Sequence, residues 1–224
     1  MRGIVTGASR GLGLALTRAL SERGWRLAVD ARGAGALEHA VAGLAGVVAI
    51  AGDLADPEHR RRLVETAGEP IDLLVNNASL LGPSPLPFLA LHPLEELRSL
   101  YETNVFAPLA LVQLSLPRFS PHARIVNLIS DAAVEAYETW GGYGSSKAAL
   151  AQITAVLGVE HPGLRVYAVD PGDMRTQMQQ DAFPGEDVSD RPPPEESVPG
   201  LLTLIEGDLP SGLYRARDLV GAPA

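Results

Sequence analysis

The chain has 224 residues, 46% of them hydrophobic and 20% charged, which is enough to bury one sizeable core without staples and too short for a second domain of useful size. Its formal net charge of -9 excludes a surface built to neutralise phosphate backbones, so nucleic acid is not an expected partner. Cysteine is absent, and the histidines at 39, 59, 92, 122 and 161 never fall at the short spacings that let one helix or hairpin offer two ligands, so neither disulfides nor a metal site are expected.

The elements alternate from the first residues onward. GIVT (3–6) predicts a strand and is followed by a helix over 12–23. RLAVD (26–30) and a helix over 34–44 come next, then VVAIAG (47–52) and a helix over 57–67. IDLLVNN (71–77) precedes a helix over 94–116, ARIVNLIS (123–130) precedes one over 143–160, and LRVYAVD (164–170) closes the series. The strand candidates are rich in Val, Ile and Leu with little polar alternation, as parallel strands covered on both faces are. This order predicts one α/β domain over 1–224, a doubly wound parallel sheet with helices on both faces.

Arg60 to Arg62, after Asp56-Pro57-Glu58, read as a solvated and partly self-paired helix face. Two proline-rich stretches, 80–93 and 173–200 with RPPPEESVPG inside it, follow strand ends where ligands bind in open α/β sheets. They are either a substrate lid, with 174–200 as the substrate loop, or surface connections. The opening MRGIVTG has no basic leader or apolar core of the secretory kind, and no apolar run reaches the ~18 residues of a membrane span. A cytoplasmic protein without a membrane partner is the expectation.

Chemistry concentrates in three places. In TGASRGLG (Thr6 to Gly13), glycines at 7, 11 and 13 allow a tight turn, close approach to a pyrophosphate and close packing of the next helix, whose N-terminus supplies free N–H groups. In YGSSKAAL (143–150), Lys147 is the one lysine among eighteen Lys and Arg. It stands one helical turn from Tyr143 on the same face, where a cation favours phenolate and fits the pair for acid/base work near neutral pH. Third, Asn104 lies deep in a predicted helix, an unfavourable place for asparagine.

Together with Asn76-Asn77-Ala78, Ser130, Asp53 and Pro171-Gly172-x-x-x-Thr176, these motifs resemble the classical short-chain dehydrogenase/reductase family over roughly residues 2 to 176. The resemblance implies a single Rossmann-like domain with about seven parallel strands, and NAD(P)-dependent interconversion of a carbonyl and an alcohol. It implies Tyr143 as proton donor or acceptor, with Lys147 also bonding the nicotinamide ribose, a place that asks for a compact ammonium. Ser130 would hold the substrate oxygen, the alternative being a turn cap beside Asp131. Asn104 would kink its helix and anchor a water leading to the lysine. The expected cofactor contacts are Gly7, Ser9, Arg10, Gly11, Leu12, Gly13, Arg32, Asp53, Leu54, Asn77, Ala78, Tyr143, Lys147, Pro171, Gly172, Met174 and Thr176. Asp53 has a helix cap as its alternative reading, though Asp56 is the better cap candidate. Ser79 departs from the family, which usually has glycine there.

An acid at the end of the second strand suits the ribose of NAD, and a cation suits the 2′-phosphate of NADP. The family's usual acidic position holds Ala31, Arg32 follows, and Arg10 lies in the glycine turn, so NADP(H) is favoured over NAD(H), with Asp30 the dissenting residue. The substrate is expected to be a small, largely uncharged carbonyl or alcohol compound, bound among Ser79–Phe88, Ala132–Trp140 and Met174–Phe183. A homodimer or homotetramer through 94–116 and 143–160 is implied, although the end that supplies a last strand in the family is reduced here to PSGLYRARDLVGAPA. The competing reading is a non-catalytic dinucleotide-binding sensor on the same fold.

Overall fold

In the computed structural model, residues 1–221 are described; Ala222 to Ala224, the end of the domain expected over 1–224, lie outside the described residues. Seven strands form one sheet: β1 (Arg2–Val5), β2 (Arg26–Ala31), β3 (Val47–Ala51), β4 (Ile71–Asn76), β5 (Phe119–Leu128), β6 (Arg165–Asp170) and β7 (Gly212–Arg215). Every pairing is parallel and the order is β3-β2-β1-β4-β5-β6-β7. The order reverses between β1 and β4, so a crevice opens beyond the carboxyl ends of those two strands.

Strand period puts successive side chains on opposite faces. Val5, Val29, Val75 and Val126 pack on one side with α1 (Gly11–Glu22) and, through Leu37, α2 (Ala34–Val41). Ile4, Ala28, Leu74 and Ile125 pack on the other with α3 (Pro57–Ala67) and, through Leu111 and Leu157, with the helices that precede and follow β5. Both faces are covered, which is why the strands read as near-continuous apolar runs. The result is a Rossmann-like doubly wound fold.

The predicted helix over 94–116 is three pieces: α4 (Leu94–Tyr101), a π-helical segment Glu102–Phe106, and α5 (Ala107–Ser115). The wider turn absorbs the asparagine that regular helix geometry disfavours. The helix expected over 143–160 starts two residues earlier, as α6 (Gly141–Glu160). Polar side chains fix α6 against the sheet: Asn76 Nδ2 donates to Asn127 Oδ1 (2.7 Å), and Asn127 Nδ2 donates to Thr154 Oγ1 (2.8 Å).

Three elements were missed. The proline-rich stretch is interrupted by α7 (Gln177–Ala182), capped by Thr176, and runs into α8 (Val198–Glu206). Proline in the first turn of α8 costs no hydrogen bond, and buried Leu201, Leu202, Leu204 and Ile205 tie the helix to the core. GLYR inside the compressed C-terminal stretch is β7, paired with β6 from Tyr167↔Gly212 to Asp170↔Arg215. The reading of Arg60–Arg62 also needs correction. Arg61 does pair with Glu58 at 2.8 Å, but Arg60 is buried and its guanidinium donates to the Leu54 carbonyl, so it braces the loop after β3 instead of facing water. Among the described residues, no helix is long and apolar enough to cross a membrane.

Candidate active site

The first turn of α1 carries no side-chain cap and no acidic residue. Its orphan N–H groups and positive dipole end therefore face the crevice unneutralised. The loop before it is drawn in tightly: a Cβ on Gly13 would lie 2.4 Å from the Gly7 carbonyl oxygen, so backbone occupies the space a side chain would fill. Thr6 Oγ1 accepts the N–H groups of Asn77 (2.9 Å) and Ala78 (3.0 Å), and Asn77 Nδ2 donates to the Thr6 carbonyl (2.8 Å). The ends of β1 and β4 are thus stitched into one rim.

Along this rim runs a cleft of about 710 Å³, lined by all the predicted cofactor residues except Gly13 and Gly172. Gly13 lies buried behind the turn, and Gly172 N–H is turned onto Asp170 (2.9 Å). Thr176 closes the cleft from the opposite side, its methyl 3.6 Å from where a Gly11 side chain would begin. Arg10 and Arg32 are exposed at one end, and among the described residues neither belongs to an ion pair. Asp53 accepts the Ala55 N–H (2.9 Å), while Asp56 caps α3 by accepting from Glu58. Asp30 is locked: Oδ1 accepts the Gly7 N–H (2.8 Å) and Oδ2 lies 3.0 Å from His59 Nε2.

Tyr143 and Lys147 occupy the other end. Both are buried, with Lys147 2% exposed, and the ammonium lies 5.5 Å from the centre of the Tyr143 ring. Nζ donates to the Leu128 carbonyl at 2.7 Å. Burial lowers the lysine pKa to about 7, because desolvation disfavours the charged form. Burial also raises the Tyr143 phenol above its ordinary value; a hydrogen bond with Ser79 opposes the rise, and Asp170 and Asp131 add to it. The expectation that Lys147 depresses the phenol is thus outweighed: desolvation of the buried ring is the largest influence on it.

Asn104 is fully buried and its amide is saturated. Oδ1 accepts the Leu80 N–H (2.8 Å) and the Ser79 hydroxyl (3.1 Å), while Nδ2 donates to the Leu80 carbonyl (2.8 Å) and Ser146 Oγ (3.0 Å). It therefore staples the loop after β4 to α6. Ser130 Oγ donates to Asp131 Oδ1 (2.8 Å) and accepts the Ala132 N–H (3.2 Å). This is the turn-cap geometry that was its alternative reading, and Asp131 also accepts from Tyr137 (2.9 Å). Ser79 is the residue the sequence reading underweighted, since its hydroxyl donates to Asn104 (3.1 Å) and its influence opposes the rise in the Tyr143 pKa. Its signal was present as a serine in a position usually held by glycine.

Aromatic side chains wall this end: Trp140 packs edge-on to Tyr143 at 5.8 Å between ring centres and tilted against Phe183 at 5.9 Å. Segments from all three expected substrate stretches meet here, with Leu81 and Met178 completing the apolar lining.

A family model described as short chain dehydrogenase matches residues 3–187. The chain is 34% identical over 191 residues to the 1-deoxy-11-beta-hydroxypentalenate dehydrogenase of Streptomyces arenae, covering 78% of this chain and 67% of that one. It is 31% identical over 190 residues to the benzil reductase ((S)-benzoin forming) of Bacillus subtilis, covering 79% and 75%. Among solved structures, a protein described as a short chain dehydrogenase from Escherichia coli CFT073, complexed with NADPH, superposes with a TM-score of 0.87 at 27% identity, covering 96% of this chain and 95% of that one.

Proposed function

This chain belongs to the short-chain dehydrogenase/reductase family, and from that premise we propose that it is a cytoplasmic, NADP(H)-dependent reductase of a small, uncharged, apolar carbonyl compound. The observation that carries the reading is the arrangement of one cleft: an uncapped helix N-terminus with two exposed arginines at one end, and a buried tyrosine–lysine pair at the other. The neighbour complexed with NADPH supports the choice of cofactor.

The glycine turn and the α1 N-terminus would hold the pyrophosphate, and Arg10 and Arg32 the 2′-phosphate of the ribose. Bound NADPH supplies the hydride that a carbonyl carbon receives. Tyr143 supplies the proton to the carbonyl oxygen. Its hydroxyl is protonated at neutral pH, as an ordinary phenol is, and burial raises its pKa further; this is the form that donates in the direction of reduction. Lys147, with a pKa near 7, exchanges a proton at neutral pH and sits beside the phenol it serves. Ser130 turns its hydroxyl from Asp131 to the substrate oxygen, giving a second donor where negative charge develops. Asn104 and Ser79 hold the loop after β4 in register with α6. The wall of Trp140, Phe183 and Met178 favours an apolar body on the substrate, and Asp131 disfavours an anionic one.

For assembly, the outer faces of the π-helical segment and of α6 leave Phe106, Val156 and Val159 exposed, which supports a homodimer through these segments. The test of function is NADPH absorbance with a panel of aldehydes and ketones. Consumption of NADPH in preference to NADH is expected, and a panel that consumes neither overturns the catalytic reading.

A further inference from the structure

At the end of β2 the strand presents two adjacent residues to the cleft, Asp30 and Ala31. An acid at this strand end is what binds the ribose hydroxyls of NAD, so Asp30 stands one residue away from turning the cleft toward the unphosphorylated cofactor. The structure shows what keeps it from doing so. Asp30 Oδ1 is taken by the Gly7 N–H at 2.8 Å and Oδ2 by His59 Nε2 at 3.0 Å, with the Asp30 and His59 side chains 2% and 0% exposed. The carboxylate is inside the wall of the cleft and held on both oxygens.

His59 reaches Asp30 from α3 only because residue 52, just past β3, is glycine. A Cβ there would lie 2.1 Å from His59 Nδ1, a distance no pair of non-bonded atoms tolerates. Asp30, Gly52 and His59 therefore come from three separate elements and fit as one device. Its free-energy logic is simple: a buried carboxylate deprived of one donor is costly, and the nearest relief is to rotate outward into the cleft. There it would repel a 2′-phosphate and accept from a 2′-hydroxyl.

We propose that His59 is a positioning residue that sequesters Asp30 and thereby keeps the cleft selective for the 2′-phosphorylated dinucleotide. This rests on the NADP(H) reading above and adds a determinant from α3 that lies outside the phosphate contacts themselves.

The test is calorimetric or fluorescence titration of NADP+ and NAD+ into the full chain, with adenosine 2′,5′-bisphosphate and 5′-AMP as fragments, alongside melting temperatures. The wild type is expected to bind NADP+ more tightly. In His59→Leu the NADP+/NAD+ affinity ratio should fall at least tenfold, with NAD+ binding held or improved. In Asp30→Asn/His59→Leu the ratio should return toward wild type, because an outward-turned amide carries no charge, and His59→Gln, which keeps an N–H donor, should preserve much of it. An unchanged ratio in folded His59→Leu, or the same fall in the double variant, overturns the proposal. A purely structural role for His59 would weaken both dinucleotides equally and leave the ratio alone. If His59→Leu does not fold, His59→Ala carries the same readings. A wild-type ratio at or below one overturns the NADP(H) reading by itself, while the His59→Leu ratio must still move toward NAD+ for the latch to stand.

Discussion

The two ends of the cleft handle positive charge in opposite ways. Beside the glycine turn, Arg10 and Arg32 stand exposed, where a guanidinium keeps its charge at any working pH. At the far end Lys147 is 2% exposed, its ammonium rests on a single carbonyl, and burial has brought its pKa to about 7. In the proposed reaction the arginines would supply a fixed field for binding, whereas the lysine would supply a group that can let its proton go. Eighteen cations are written into this chain and only one is lysine. On the proposed mechanism, the residue type changes at the one place where giving up the charge would be useful.

The sharpest way to test that contrast is to remove the group the lysine serves. Tyr143→Phe should lower kcat by about a thousandfold, within the range of general acid catalysis, while the affinity for NADP+ stays near wild type by titration. Lys147→Arg keeps a cation but not a titrating one, so it should cost about a hundredfold in kcat/KM; wild-type turnover there would show that charge alone is wanted. Arg32→Ala removes part of the fixed field, and roughly a tenfold loss in kcat/KM for NADPH is expected, as for one charge-assisted contact. Turnover with NADH should not change, and an equal loss with both would remove the contrast between the two ends.

The smallest effect is on stability. The ordinary lysine pKa of 10.5 falls to about 7 on folding. Between those values the unfolded chain holds a proton that the folded chain has released, so stability should rise as pH goes from about 7 to about 10. Below 7 both states are protonated and the contribution is constant. Tyr143, whose pKa is raised, works the other way only once the unfolded phenol ionises above about 10. A rise in Tm of several degrees across pH 7 to 10 in the cofactor-free protein, flattened in Lys147→Met, is the expected record.

The parallel sheet was legible because its strands are apolar on both faces, and the glycine turn because spacing and place in the chain agree. β7 was harder to read: GLYR is four residues at a sheet edge with a half-buried pattern, too short and too mixed to show a period. α8 was obscured because proline signals a loop in most places and a first turn in a few. In the site, Tyr143 and Lys147 could be paired from spacing on one helix. The links of Ser79 to Asn104 and of Asp30 to His59 span 25 and 29 residues, and nothing local in the sequence announces contacts that only the crossovers create. The orientation of Ser130 toward Asp131 likewise depends on a hydroxyl rotor settled by its neighbours.

A solitary lysine also makes the molecule unusually easy to watch. With Lys147 as the one side-chain amine in the chain, isotopic labelling of lysine places a single ζ-nitrogen in the whole protein, and a resonance from it needs no assignment. Its titration can be followed in solution without mutating anything. Because the group is buried against Leu128, the extent to which an amine-directed reagent modifies this one side chain would report how often that end of the cleft opens.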